Sequence, residues 1–349
     1  HGGRHGGTRL TQRFRRTGKA ACLHHPRKNA ALFYAVHALR SIPRFLFHNP
    51  SDCSQKLTGL IIYAHFISKF PIVTVSRQKN GHRPVCTSKA THMTKHSITG
   101  KTVLIAGGAK NLGGLIARDL ARHGARALVL HYHTPESEAA ALATIQAVQQ
   151  TGAQAFAVQA DLTQPGAVAA LFDKARQATG GLDIAINTVG KVLKKPIADT
   201  TDDEYDAMFA INTKVAFQFI REAGKHLNDN GKLLSIVTSL LGAYTPFYST
   251  YAGAKAAVEH FTRAASKELG GRGISVNAIG PGPMDTPFFY GQEEPEAVAY
   301  HKSAAALSPF SHTGLTEVED IVPHVRFMVS DGWWMTGQTI LVNGGYTTK

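Results

Sequence analysis

Tyr251 and Lys255 stand four residues apart in the segment STYAGAKAAVEHF (249–261), so a helix there carries a phenol and an ammonium on one face. A free phenol titrates near pH 10, roughly three units too high for acid–base work at neutrality. A lysine ammonium beside it favours the phenolate and brings proton exchange closer to the working pH. Two more tyrosines lie upstream, but Tyr248 has Ala252 four residues on and Tyr244 has Tyr248, so of the three only Tyr251 has the cation. Tyr and Lys at this spacing also suit an ordinary solvated helix face; Ser239 is what points to chemistry. It is expected to end the fifth strand, close to the start of this helix, where its hydroxyl can hold a carbonyl oxygen while Tyr251 delivers the proton. Asn212, in AINTK, falls inside a long helical segment of about 202–227, where asparagine is mildly unfavourable. It is either a buried packing residue or the holder of a relay water behind Lys255.

These residues need a scaffold that brings strand ends and helix starts together. Apolar runs supply it: TVLIAGG (102–108), ALVLHY (127–132), AFAVQAD (155–161), LDIAINTVG (182–190), KLLSIVTS (232–239), ISVNAIGPG (274–282) and QTILVNGG (338–345). Helical patterns separate them, including one near 112–123 and one opened by Pro135 and Glu136 and closed by Gly152. Continuous rather than alternating apolar runs indicate strands covered on both faces. The fold class expected is α/β, a doubly wound seven-stranded parallel sheet of the Rossmann type forming a single domain over 93–349.

In such a sheet, ligands bind beyond the carboxyl ends of the strands. AGGAKNLGG (106–114) follows the first strand and opens a helix, and the backbone N–H groups around Gly107, Lys110, Asn111, Leu112 and Gly113 can meet a pyrophosphate there. A glycine-rich turn that serves only packing remains the plainer alternative. Asp161, followed by Leu162, ends the third strand and can accept a hydrogen bond from an adenine amino group. Asn187 and Gly190, in NTVG, end the fourth. Each of these singly also suits a turn or cap. The second strand ends in His131, Tyr132, His133 and Thr134, with no carboxylate before Glu136 to bind a ribose hydroxyl or repel a 2′-phosphate, and Lys110 can pair with such a phosphate. NADP(H) is therefore expected over NAD(H).

Taken jointly, these motifs resemble those of the short-chain dehydrogenase/reductase family over about 98–345. AGGAKNLG stands for its TGxxxGxG turn and NTVG for its NNAG. Asn212, Ser239, Tyr251 and Lys255 match its tetrad, and PGPMDTP (281–287) matches its PG segment. The resemblance implies an NAD(P)(H)-dependent oxidoreductase that reduces a carbonyl of ketone or 3-oxoacyl type to an alcohol. It further implies that Pro281, Gly282 and Thr286 position the carboxamide, and that the chain forms a homotetramer or homodimer through the helices bearing Asn212 and Tyr251. Three departures stand out: Ala106 replaces the motif's threonine, Asn111 replaces its middle glycine, and Ser239 precedes Tyr251 by 12 residues, slightly fewer than usual. Residues 284–312 are expected to cover the substrate, with Phe288, Phe289 and Tyr290 as an apolar wall. A non-catalytic dinucleotide-binding module of the same fold is the alternative.

Charge separates the chain into two compositions. Residues 1–92 carry 16 Lys and Arg against the single acid Asp52, whereas 93–349 carry 22 basic and 23 acidic residues. Four readings compete for 1–92: non-native sequence ahead of Met93, which is favoured; a transit peptide; a nucleic-acid-binding tail; and a small module. The run 57–75 is broken by His65, Lys69 and Pro71, too short for a membrane span of about 20 residues. Cys22, His24 and His25 lack a second pair at zinc-site spacing, so no metal is expected. With no cysteine after Cys86, a reducing, cytoplasmic setting is expected. A small-molecule carbonyl or alcohol is the expected partner, not a membrane or a nucleic acid.

Overall fold

A computed structural model describes residues 96–348; the basic segment 1–92 and its competing readings lie outside the described residues. Seven parallel strands form one sheet in the order β3-β2-β1-β4-β5-β6-β7. They are β1 (Thr102–Ala106), β2 (Ala127–Tyr132), β3 (Gln154–Gln159), β4 (Leu182–Asn187), β5 (Leu227–Ile236), β6 (Ser275–Pro281) and β7 (Thr339–Val342). Strand order reverses between β1 and β4, which pair Ala106 with Asn187 at their carboxyl ends. That reversal opens the crevice in which folds of this type bind ligands.

Alternation along β1 covers both faces. Val103 and Ile105 of β1 pack with Ile116 and Leu120 of α1 (Asn111–Arg122), Ile145 of α2 (Glu138–Gln149) and Val325 of α9 (Val318–Met328). Leu104 and Ala106 face the other way, onto Phe172 of α3 (Ala167–Thr179) and Phe219 of α5 (Val215–His226). Two buried layers on one sheet explain why the central strand β1 runs apolar. Phe172 and Phe219 are fully buried and meet edge to face, ring centroids 4.9 Å apart. Phe172→Ala is expected to lower the unfolding free energy by about 3–5 kcal/mol, because the cavity left cannot fully collapse. A denaturant midpoint unchanged by the substitution would contradict this packing.

Two boundaries differ from expectation. β5 begins at Leu227, because Leu182 and Leu227 pair before a register shift admits the polar residues 228–230. It also ends at Ile236, so Ser239 does not end the strand but opens a 3₁₀ turn (Ser239–Gly242). The helix around Asn212 is α4 (Asp202–Phe209), a π-helical stretch (Ala210–Lys214) and α5 in succession. Within the π stretch the Asn212 side chain takes the Met208 carbonyl four residues back, at 3.1 Å. An asparagine competes for backbone groups in this way, which is why it sits at the irregularity. Residues 284–312 carry α7 (Pro287–Tyr290), α8 (Pro295–Ala304) and a 3₁₀ turn (Ser308–Phe310). Among the described residues no helix is long and apolar enough to cross a membrane.

Candidate active site

A cavity of about 520 Å³ opens at the carboxyl edge of the sheet. Most residues singled out from the sequence line it: Gly107, Lys110, Asn111, Leu112 and Gly113 of the glycine turn, His131, Tyr132, Leu162 and Gly190, then Ser239, Tyr251, Lys255, Pro281, Gly282 and Thr286. Asp161, Asn187 and Asn212 do not. The Asp161 carboxylate accepts from the Thr163 backbone N–H and hydroxyl and from Gln164 Nε2, which hold it down at about pKa 2. Asn187 Oδ1 accepts from the Val189 N–H at 3.0 Å. Both side chains thus make local, cap-like hydrogen bonds just beyond their strand ends.

The glycine turn is tight for steric reasons. Gly107 has φ +80°, and a Cβ there would lie 2.5 Å from Thr188 Oγ1. A Cβ on Gly113 would overlap the Gly107 carbonyl oxygen. Asn111, which replaces a glycine of the family motif, has φ +48°. That is left-handed backbone, which asparagine tolerates better than other non-glycine residues, so the departure preserves the turn. No side chain caps α1, leaving its N-terminal N–H groups beside the cavity, with the exposed Lys110 next to them.

His131 departs from expectation. It lines the cavity, but its Nδ1 accepts from the Gly107 N–H at 3.2 Å and its Nε2 faces the Ala160 carbonyl at 2.9 Å. Burial lowers its pKa, and the pair of bonds fits the neutral Nε2–H tautomer. It therefore pins the glycine turn to the third strand, while Tyr132, His133 and Ser137 remain beside it on the cavity wall. Glu136, at the exposed edge, is outside that wall and engaged with the Thr134 side chain.

At the other end of the cavity, Tyr251 and Lys255 lie on α6 (Ser249–Glu268). Both are buried. Lys255 Nζ donates to the Ile236 carbonyl at 3.0 Å and the Val189 carbonyl at 3.4 Å, and burial pushes its pKa down to about 8. Burial pushes Tyr251 up to about 12, partly countered by a hydrogen bond with Thr238. Desolvation therefore outweighs the lowering by Lys255 that the sequence led us to expect, and the ammonium is turned to backbone carbonyls. Asn212 accepts from the Lys191 N–H at 3.1 Å and donates to the Lys191 carbonyl at 2.8 Å. Gly190 separates it from Lys255: a Cβ there would lie 2.8 Å from Asn212 Oδ1 and 3.0 Å from Lys255 Nζ.

Several wall residues were not legible as site residues. Tyr248 is buried, its ring 6.5 Å from that of Tyr251, and its hydroxyl donates to Glu293. His301 and Tyr346 also line the cavity. Phe288 and Phe289 form the apolar wall expected of them, but Tyr290 does not line the cavity and bonds Asp285 instead. The arrangement can hold an anion at the helix N-terminus and exchange a proton with a bound molecule at the tyrosine end.

Known proteins resemble this chain along its described length. A family model described as enoyl-(acyl carrier protein) reductase matches residues 106–347. A short-chain type dehydrogenase/reductase of Picea abies is 35% identical over 255 residues, covering 70% of this chain and 92% of that protein. An NADPH-dependent aldehyde reductase-like protein, chloroplastic, of Arabidopsis thaliana is 35% identical over 262 residues, covering 71% and 95%. Among solved structures, a Burkholderia cenocepacia protein with bound NADP is 67% identical, covers 73% of this chain and 96% of its own, and superposes with a TM-score of 0.72.

Proposed function

Because the chain belongs to the short-chain dehydrogenase/reductase family of oxidoreductases, we propose that it reduces a ketone or 3-oxoacyl carbonyl to an alcohol, with NADP(H) preferred over NAD(H). The observation that carries the reading is one cavity joining an uncapped, glycine-lined helix N-terminus to the buried Tyr251–Lys255 pair and Ser239. The turn fits a dinucleotide: its glycines leave no room for side chains, its N–H groups suit a pyrophosphate, and Lys110 suits a 2′-phosphate. A bound nicotinamide supplies the hydride. The Burkholderia protein's bound NADP and the Arabidopsis protein's NADPH dependence support the preference.

The protein's own residues manage the oxygen and its proton. The Ser239 hydroxyl holds the carbonyl oxygen. Tyr251 breaks its O–H bond to form the alcohol O–H, and the positive Lys255 stabilises the phenolate left behind. Asn212, engaged on the backbone of Lys191 and Met208, is a positioning residue that holds the loop after β4, with Gly190, against Lys255. Exposed Tyr205 and Phe217, on the helices flanking Asn212, support a homotetramer or homodimer. Oxidation of NADPH, followed by absorbance across a panel of carbonyl compounds, tests the activity; no oxidation with any of them would reject it.

The pH profile separates the two directions. With its pKa up at about 12, Tyr251 keeps its proton throughout the neutral range, so carbonyl reduction is expected to be flat from pH 6 to 8. Alcohol oxidation needs the phenolate, so its kcat/KM is expected to rise about tenfold per unit over the same range. Lys255, with its pKa near 8, is positive below that value and neutral above it, so the rise is expected to level off there. Reduction that falls steeply between pH 6 and 7 would assign the proton to another group.

A further inference from the structure

Unlike Tyr251, which a 20-residue helix carries, Ser239 sits on a short 3₁₀ turn beyond the end of β5. The Val237 N–H still reaches the Ile279 carbonyl of β6 at 2.8 Å. Two bonds that close the turn are long: Leu241 N–H to the Thr238 carbonyl and Ala243 N–H to the Leu240 carbonyl, both 3.3 Å. Turns of this type have poorer hydrogen-bond geometry than an α-helix. Ser239 is buried on this turn and lines the cavity.

A second segment packs on the turn. After β7 the chain reverses through Asn343–Tyr346, where the Tyr346 N–H bonds the Asn343 carbonyl at 2.9 Å. Gly344 and Gly345 have φ of +59° and +80°, left-handed backbone that favours glycine. The reversal brings Thr347 back beside Asn343. Asn343 Nδ2 donates to Thr347 Oγ1 at 2.8 Å and to the Thr347 carbonyl at 3.1 Å, while Asn343 Oδ1 accepts from the Gly345 N–H at 3.1 Å. The Thr347 hydroxyl donates in turn to the Ser239 carbonyl at 3.2 Å. An amide N–H only donates and a carbonyl only accepts, so the hydroxyl between them has one consistent direction. At the far end of the turn, a Cβ on Gly242 would lie 3.0 Å from the Thr348 carbonyl oxygen and 3.3 Å from Thr347 Oγ1.

An anchor for the segment after β7 is the simplest role for these bonds. Apolar contact would serve that purpose, whereas a hydroxyl held by Asn343 and aimed at the Ser239 carbonyl fixes a direction at the site. A misplacement of about 1 Å can cost on the order of 100-fold in rate, so a reacting group on a short turn needs outside support. We propose that Thr347, oriented by Asn343, is a positioning residue for Ser239, fixing its backbone so that its hydroxyl meets the substrate's carbonyl oxygen. The proposal rests on Ser239 as the group that holds that oxygen.

The test is a double-mutant cycle on kcat/KM for carbonyl reduction with NADPH in the full chain. Thr347→Val keeps the shape and removes the hydroxyl. It is expected to lower kcat/KM by about tenfold, the scale of one buried hydrogen bond, with NADPH affinity unchanged. Thr347→Ser is expected to restore most of the loss. In a Ser239→Ala background the hydroxyl being positioned is gone, so Thr347→Val is expected to cost under about twofold more; a mere anchor predicts the same loss in both backgrounds. Amide hydrogen exchange over residues 237–243, read by mass spectrometry, needs no turnover. It is expected to quicken in Thr347→Val and not in Thr347→Ser, with exchange over 107–114 unchanged. Full activity in Thr347→Val, a loss that adds in full to that of Ser239→Ala, or unchanged exchange over 237–243 overturns the proposal. Faster exchange in a protein whose native form oxidises NADPH with no carbonyl compound would reject carbonyl reduction while still supporting Thr347 as the residue that orders Ser239.

Discussion

Tyr251→Phe is expected to lower turnover by at least about 100-fold while the fold and nucleotide binding persist, the scale set by losing a positioned general acid. The substitution removes one oxygen from a buried ring on α6 and leaves the Lys255 bonds to Ile236 and Val189 in place. Tyr248→Phe is the internal comparison. Tyr248 is as deeply buried and its ring is 6.5 Å away, but its hydroxyl is committed to Glu293, so its loss is expected to cost under about tenfold on a simple ketone. Steady-state kinetics with melting curves on both variants separate the roles. Near-normal turnover by Tyr251→Phe, or an equal loss in both, would remove Tyr251 as the proton donor.

Lys110→Ala is expected to reduce kcat/KM with NADPH by about 30-fold and with NADH far less. Lys110 is exposed at the start of α1, its backbone extended and its side chain making no cap, so the ammonium is available to a 2′-phosphate. A charge-assisted hydrogen bond of this kind contributes about 1.5–3 kcal/mol, which brackets that factor. Glu136, the first acid after β2, is exposed and outside the cavity wall. His133 and Ser137 also line this end, so some NADPH preference is expected to survive the substitution. Equal or better use of NADH by the native enzyme would overturn the preference.

Much of the architecture was legible because its causes are local. Strands buried on both faces run apolar, and ALVLHY was found at its observed bounds, Ala127–Tyr132. The polar start of β5 was missed because residues 228–230 are exposed and the strand is defined there by pairing with β4, not by its own pattern. Asp161 and Asn187 were legible as polar groups at strand ends. Their caps were not distinguished from ligand contacts, because both uses require the same residue type at the same place.

By itself the sequence determined the seven-stranded α/β plan, the glycine turn and the spacing that gives Tyr251, and not Tyr248, a lysine one helical turn on. Those depend on neighbours within a few residues, through side-chain period and the sterics of single backbone positions. Only the tertiary structure decided what surrounds the tyrosine. Burial raises its pKa where the local lysine was expected to lower it. His131 is drawn into holding the glycine turn, and Glu293, 45 residues beyond Tyr248 and 99 beyond Lys194, meets both inside the cavity wall. Desolvation and long-range pairing are properties of packed segments, so no window of sequence contains them.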